Sequence, residues 1–182
     1  MTAVARNVGG TQYLWTCRHV GVNNAGNNDN PQTNPADRLA IEWLKIQTTP
    51  SVGIAASGRV YDTATTNPKS YYMPSLAVNT NGHMVMGFSG SSANEYVSTY
   101  YWGRLNNGTP SAAPVRYFAG KDWLDGPQGN PPPPFRWGDY SHTTLDPDGL
   151  TIWTIQEYAE TRYGFPGSWN AFGTRIAAIT PF

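Results

Sequence analysis

A glycine-closed turn between two β-type segments occurs twice in this chain, and the two copies align over residues 74–88 and 141–155. The turn glycines, Gly82 and Gly149, are 67 residues apart. A repeat at a fixed period of tens of residues is typical of architectures built from one repeated structural unit. We therefore expect a fold made of successive, similar β units.

The composition favours a single all-β domain over residues 1–182. Charged residues make up only 13% of the chain and aromatic residues another 13%, while 19 Gly and 15 Pro predict frequent turns. The 12 basic and 12 acidic residues balance, so no charge field favours a nucleic acid or an anionic membrane as partner. No apolar run is long enough for a transmembrane helix. We predict neither a nucleic-acid nor a membrane partner.

The 67-residue period divides the chain into units at about 1–66, 67–133 and 134–182. Segment 38–45 has a pattern that a helix could also show, but its place in the repeat favours a strand. The predicted strands are 12–20, 38–47 and 53–62 in the first unit, 71–79, 83–89, 96–105 and 115–120 in the second, and 139–145, 150–158 and 172–180 in the third.

Both alternating faces of segments 84–88 and 151–155 are apolar or small. A strand in a half-exposed sheet shows clean alternation, whereas a strand covered on both sides does not. The sequence therefore predicts a partial β-propeller of about three four-stranded antiparallel blades. A β-sandwich is the alternative.

A propeller usually has four to eight blades, and this chain holds only about 2.7 periods. Its first predicted strand corresponds to the second strand of a blade. Either the chain is a piece of a longer propeller, or copies associate through their first and third units. A homodimer that forms a six-bladed ring is the simplest version, and a partner chain could fill the missing outer strands.

Two connections lack periodicity. The polar, Asn-rich segment 23–36 is predicted to be a surface loop. Segment 126–134 contains four consecutive prolines and is predicted to be an extended polyproline II connector. A ligand for an SH3-type domain is the alternative for that segment.

Metal and nucleophile chemistry has little support. Cys17 is the only cysteine, so it has no disulfide partner within the chain, and a buried hydrophobic role is favoured over a nucleophile. The histidines lack zinc-ligand spacing. Asp146 and Asp148, like Asn79 and Asn81, fit a hairpin turn better than a calcium loop, since calcium needs six to eight oxygens. We predict no metal and no cofactor.

Ligands of propellers lie over the central channel, beside the innermost strands. In this chain those strands are predicted at 70–75 and 136–142, which carry polar and aromatic residues in close succession. The predicted ligand-binding residues are Arg136, Trp137, Asp139, Tyr140 and Tyr72. The alternative is structural: Asp139 caps a turn or pairs with Arg136, and Trp137 seals the seam between blades.

Glycosidase chemistry would need a pair of carboxylates at a set distance. Asp139 and Glu157 are the candidate catalytic residues, with Glu160 as a further acid. A sialidase would also need an arginine cluster, for which Arg18, Arg136 and Arg162 are candidates.

Segments 136–141 (RWGDYS), 145–148 (LDPD) and 153–158 (WTIQEY), together with 70–75 (SYYMPS) and 87–89 (GFS), resemble large secreted bacterial proteins with sialidase-like (BNR-type) propeller repeats. The resemblance covers most of the chain. It implies a propeller scaffold, a bacterial source and a secreted or cell-surface location, but no known reaction.

The sialidase Asp-box, Ser-x-Asp-x-Gly-x-Thr-Trp, is not met, because the turn before Trp153 holds one residue more. We therefore expect a non-catalytic extracellular module that binds carbohydrate or protein. The alternative is a sialidase-like glycoside hydrolase that acts at the channel mouth with a carboxylate or a tyrosine.

Overall fold

The computed structural model describes residues 2–27, 35–124, 137–163 and 169–181, and the described part of the chain is all-β with no helix. It therefore also holds no helix that could cross a membrane. The eleven strands are β1 (Thr2–Val8), β2 (Thr11–Val22), β3 (Arg38–Gln47), β4 (Gly53–Val60), β5 (Ser70–Val78), β6 (Met84–Ser92), β7 (Glu95–Arg104), β8 (Val115–Phe118), β9 (His142–Leu145), β10 (Ile152–Tyr163) and β11 (Trp169–Ile179).

The strands form three antiparallel sheets, and within each sheet every strand pairs with the next one along the chain. The N-terminal sheet has the order β1-β2-β3-β4, the middle sheet β5-β6-β7-β8, and the C-terminal sheet β9-β10-β11. The middle sheet packs between the other two. None of the three sheets closes on itself. The third sheet has three strands among the described residues, not the four of the predicted blade.

The N-terminal sheet contains a strand that the sequence analysis did not predict. Strand β1 pairs with β2 from Thr2, opposite Cys17, to Val8, opposite Thr11. Its sequence, TAVARNV, places the β-branched Thr2, Val4 and Val8 at alternate positions on the half-buried face, a strand signal that is weakened by the short length of the segment. Pairing with β2 makes it a strand. Segment 38–45 is a strand as predicted, within β3.

Aromatic side chains dominate the core between the N-terminal and middle sheets. Trp43 and Trp102 face each other across this interface, with ring centroids 6.3 Å apart. Phe88 and Tyr100 stack within the middle sheet, and both are almost fully buried. Burial of such large rings is the main stabilising contribution to this interface.

The contact between the middle and C-terminal sheets is polar at its centre. The Ser75 and Thr143 hydroxyls lie 2.7 Å apart, and the Gln156 amide donates to Ser75 over 3.0 Å. Thr154 also joins this buried network, 2.9 Å from Thr143. Gly87 lies directly against Thr154 and Gln156, where a β-carbon would overlap them. The network therefore depends on a glycine in the facing strand.

The two repeated turns form hairpins, as the repeat predicts. Gly82 and Gly149 have φ angles of 79° and 75°, the left-handed conformation that glycine adopts without penalty. The turns also contact each other: the Thr80 amide and hydroxyl both donate to the Gly149 carbonyl, over 3.0 and 2.8 Å. Segments 74–88 and 141–155 therefore lie side by side in neighbouring sheets.

The prediction that both strand faces are covered holds for one of the two copies. In β6 every residue from Met84 to Gly90 is buried, because the middle sheet has a neighbour on each side. In β10, Ile152 and Thr154 are buried, whereas Trp153 is 40% exposed. The face of the C-terminal sheet that carries Trp153 is therefore open at the start of β10, whereas Glu157 and Ala159 further along β10 are buried.

Candidate functional site

The first strands of the three sheets, β1, β5 and β9, approach one another at one edge of the stack. A cavity of about 450 Å³ opens there, between the start of the N-terminal sheet, β5 and the turn before β9. We call it the inner cavity. Its lining includes Arg18, His19, Met73, Pro74, Gly138 and Ser141.

Backbone strain is concentrated in the wall of the inner cavity. Met73 has a φ of 51°, a region that side-chain-bearing residues rarely adopt, and the residue before a proline normally prefers extended backbone. The pairing of β5 with β6 shifts register between Tyr72 and Ser75, so Met73 lies at a bulge. Gly138, with a φ of 96°, lies against the Met73 side chain. Such strain, held in place by surrounding contacts, is typical of functional sites.

Ser141 places a buried hydroxyl oxygen beside the inner cavity that has no hydrogen-bond partner in the described part of the chain. Nearly all buried polar groups in folded proteins are hydrogen-bonded, so an unpaired hydroxyl needs a specific explanation. A ligand that occupies the cavity could supply the missing partner.

Glu157 holds the turn before β9. Its carboxylate accepts hydrogen bonds from the backbone amides of Gly138, over 2.6 Å, and Tyr140, over 3.2 Å. The residue is only 2% exposed. Asp139 lies between these two amides and is exposed. The two candidate catalytic residues are therefore close in the fold, but the Glu157 carboxylate is occupied by backbone amides.

The other predicted binding residues have different surroundings. The Trp137 indole donates to the Ser89 hydroxyl over 3.1 Å, between the C-terminal and middle sheets. Tyr72 hydrogen-bonds to Ser91 over 2.9 Å, and burial raises the pKa of its phenol to about 12. Tyr140 is exposed and stacks on Phe172 at 5.5 Å.

Two of the predictions fall outside the described residues, namely Arg136 and the proline-rich connector at 126–134. The predicted loop at 23–36 is described only in part. The turn at 137–140 does border the inner cavity through Gly138. Sequence reasoning missed Met73 and Ser141. The Met73-Pro74 pair inside a strand was a usable signal, whereas nothing in the sequence distinguishes Ser141 from other serines.

The described arginines that a sialidase would need have separate acidic partners. Arg18 pairs with Glu42 over 2.6 Å, and Arg162 pairs with Asp122 over 3.2 Å. Burial alone would raise the pKa of Glu42, but hydrogen bonds from Arg18 and Arg59 outweigh it and lower that pKa. The charge of Arg18 is thus partly balanced by Glu42, which lies opposite it on β3.

Nucleophilic and metal chemistry find little support in the geometry. Burial raises the pKa of the Cys17 thiol to about 12, so the thiol is neutral at physiological pH. Asp148 accepts hydrogen bonds from the amides of Leu150 and Thr151, and Asp146 from the Trp153 indole, as side chains of a hairpin turn do. Among the described residues, no group of three or more His, Cys, Asp or Glu side chains could hold a metal ion.

Comparison of the chain with protein-family models, with curated proteins and with solved structures gives no match.

Proposed function

We propose that this chain is a non-catalytic binding module of the BNR-like propeller type. Its three sheets would be successive blades, and its inner cavity would bind a small, hydroxyl-rich ligand such as one sugar unit of a glycan. The observation that carries the proposal is the unpaired, buried Ser141 hydroxyl beside a cavity with a strained wall. A secreted or cell-surface bacterial location belongs to the same proposal.

The chemistry of the cavity lining suits a sugar. His19 supplies a polar group at the rim, and Ser141 supplies a hydroxyl that can donate and accept. Met73 and Pro74 provide an apolar wall for the C–H face of a sugar ring. A pocket with an apolar wall and a few convergent polar groups is typical of small-molecule sites.

The engaged state of Glu157 supports binding rather than hydrolysis. A general acid or nucleophile must be free to approach the glycosidic bond. The Glu157 carboxylate is buried and accepts hydrogen bonds from two backbone amides, so it is not free in this way. The sialidase-like alternative predicts turnover of chromogenic glycosides. The binding proposal predicts none, and measurable turnover would favour the alternative.

Replacement of Ser141 by alanine tests the sugar site. We expect Ser141→Ala to weaken binding of the glycan identified on an array by about five-fold, because one hydrogen bond to the ligand is lost. Its free energy of unfolding should stay unchanged or rise, since the free protein loses an unpaired buried hydroxyl. Titration calorimetry and chemical denaturation give the two quantities.

Ser75 provides the matched control, since its buried hydroxyl is fully hydrogen-bonded to Thr143 and Gln156. Ser75→Ala should lower the free energy of unfolding by about 1.5 kcal/mol. If Ser141→Ala proves as destabilising as Ser75→Ala, the Ser141 hydroxyl is a structural group. If the unmodified chain binds no glycan on the array, the sugar proposal is wrong.

We further propose that two copies associate through the open faces of their end sheets. On the open face of the C-terminal sheet, Trp153 and Ile176 lie on neighbouring strands and are 40% and 60% exposed. Phe172, on the same face, is 53% exposed. These side chains share a face because Trp153 pairs with Ala178 and Ile155 with Ile176, whereas the alternate residues contact the middle sheet.

The N-terminal sheet has a similar open face. On the side opposite the buried Trp15 and Trp43, Ile54 is 67% exposed and Leu14, Leu44 and Ile46 are half-buried. The ion pairs of Glu42 with Arg18 and Arg59 lie on the same side. If the C-terminal sheet of each copy covers the N-terminal sheet of the other, six sheets close one ring with two-fold symmetry. Covering several hundred Å² of apolar surface at about 25 cal/mol per Å² would stabilise such a dimer. The alternative is that the same faces contact further blades of a longer propeller.

Ile176→Asp tests this interface. A charge in the centre of an apolar contact should raise the dissociation constant of the dimer at least about 100-fold, because the carboxylate loses its hydration without gaining a partner. Analytical ultracentrifugation measures the constant. Val115→Asp is the control, because Val115 is also exposed but lies in β8 of the middle sheet, not on either end sheet. A monomeric unmodified chain at micromolar concentration would rule out the dimer.

A further inference from the structure

Three cations lie together at one end of the contact between the N-terminal and middle sheets. Arg6 is on β1, Lys45 is near the end of β3 and Arg104 is the last residue of β7. All three residues are half-buried. No described acidic residue forms an ion pair with any of them, whereas most of the other described Lys and Arg side chains have such a partner. We call these three residues the cation cluster.

Aromatic rings bring the cation cluster together. The Lys45 Nζ lies 4.1 Å from the centroid of the Tyr13 ring, and Arg6 lies directly opposite Tyr13 on the neighbouring strand. Trp43 precedes Lys45 by two residues in β3, so the two side chains are on the same face of that strand. The Arg104 guanidinium lies over the Trp43 ring, 5.0 Å from its centroid. The three cations are therefore neighbours in space, although they are far apart in the sequence.

The cation cluster has an excess of positive charge. Burial and the nearby charge of Arg104 both lower the pKa of the Lys45 ammonium. Contact with the faces of aromatic rings compensates only in part for the lost hydration and for the repulsion between like charges. An anion bound beside Lys45 and Arg104 would remove this repulsion, because it would supply the negative charge that no described side chain supplies there.

The turn that follows β7 adds hydrogen-bond donors to the cation cluster. The Asn106 Oδ1 accepts a hydrogen bond from the Lys45 Nζ over 3.2 Å, and the amide of this exposed residue has two N–H groups of its own. The Asn106 backbone amide donates to the His83 Nδ1 over 3.0 Å, which leaves the proton of a neutral imidazole on Nε2. Arg104 donates none of its five guanidinium N–H groups to a described residue. Donors of hydrogen bonds therefore surround Lys45, with no carboxylate among them in the described part of the chain.

We propose that the cation cluster binds a tetrahedral oxyanion, a sulfate or phosphate group, between Lys45 and Arg104. Two cations match the charge of such a dianion, and a guanidinium can donate two parallel N–H bonds to two of its oxygens. The Trp43 ring contacts only the face of the Arg104 guanidinium, so its edge is free for these bonds. The site depends neither on the sugar site nor on the dimer. The inner cavity lies further along β2, at residues 17–19, and the open face of the N-terminal sheet is on the opposite side.

Titration of the ¹⁵N-labelled full chain with sodium sulfate, at an ionic strength held constant with sodium chloride, tests this site. Amide shifts in the NMR spectrum should saturate, and inorganic phosphate should compete with sulfate. Lys45→Met and Arg104→Met should each weaken binding at least about ten-fold, because each removes a charged hydrogen-bond donor but keeps most of the contact with the ring. Arg175→Met is the matched control, since Arg175 also lies over a ring, 4.7 Å from the Phe118 centroid, but in the C-terminal sheet. It should leave the affinity nearly unchanged.

Asn106→Asp tests the charge argument at an exposed position, where the fold is not at risk. The new carboxylate would pair with Lys45 in place of the anion, so sulfate affinity should fall at least about ten-fold. Asn107→Asp adds the same charge at the next exposed position of the turn and is the control, with a much smaller effect expected.

Glucose 6-sulfate distinguishes the source of the bound group. Tighter binding of this ester than of inorganic sulfate would assign the site to a sulfated sugar, whereas equal binding would assign it to the free ion. Shifts that do not saturate with sulfate in the unmodified chain would overturn the proposal. Equal effects of Asn106→Asp and Asn107→Asp, or of Arg104→Met and Arg175→Met, would also overturn it, because the response would then reflect the net charge of the chain and not this cluster.

Discussion

Gly87→Ala is expected to lower the free energy of unfolding by about 3 kcal/mol. A β-carbon at Gly87 would overlap Thr154 and Gln156, which lie in the buried hydrogen-bond network between the middle and C-terminal sheets. The overlap would separate two closely packed sheets and leave several buried polar groups unpaired, and both effects are strongly destabilising. Urea denaturation of purified variants measures the change.

The control for this prediction is Gly53→Ala. Gly53 also lies in a strand, β4, but no atom is within 4 Å of the position where its β-carbon would be. Alanine there should change the free energy of unfolding by less than about 0.5 kcal/mol. The double variant Gly87→Ala/Thr154→Ala should recover part of the lost stability, because it removes the nearest overlapping group. Equal stability of Gly87→Ala and Gly53→Ala would contradict the packing of these two sheets.

Glu157→Gln is expected to destabilise the chain by about 3 kcal/mol. Each of the two carboxylate oxygens accepts a hydrogen bond from one backbone amide. Glutamine would replace one of these oxygens with an NH₂ group, which would face a backbone N–H. Two buried donors would then face each other without an acceptor, which costs about as much as a lost charged hydrogen bond plus the desolvation of both groups. Thermal and urea denaturation, with binding measured at a temperature where the variant is folded, provide the readout.

Glu160→Gln is the matched control on the same strand. Glu160 is partly exposed and pairs with Lys121 over 2.8 Å. Exposed ion pairs contribute little, so the change should be much smaller than that of Glu157→Gln. If Glu157→Gln instead retains full stability but loses turnover of a glycoside, Glu157 is a catalytic group and the sialidase-like alternative gains support.

The sequence predicted the turns better than the site. Gly82 and Gly149 could be placed in left-handed turns because an Asn or Asp followed by glycine between two apolar segments has few other solutions. The burial of both faces of β6 was also predictable, since Met84, Val85 and Met86 are consecutive apolar residues in a strand. These features depend on local backbone geometry and on hydrophobic burial, both of which a short segment specifies.

Strand β1 is a part of the fold that its own sequence did not predict. It has only three β-branched residues, Thr2, Val4 and Val8, in a short segment, and β2 supplies the hydrogen-bond partners along its length that make it a strand. The role of Glu157 also escaped prediction. A glutamate in a strand normally faces solvent, and this one is buried because the turn at 137–140 brings two backbone amides to it.

The inner cavity is wholly a product of tertiary structure. Its lining comes from β2, β5 and the turn before β9, so it exists only when the edges of three sheets meet. By itself the sequence determined an all-β chain of repeated antiparallel hairpins with glycine turns, because period, turn chemistry and apolar pattern act over a few residues. Only the tertiary structure decided which strand faces remain open, that the Ser141 hydroxyl lacks a hydrogen-bond partner and that the Glu157 carboxylate accepts hydrogen bonds from backbone amides. These features depend on contacts between residues far apart in the chain.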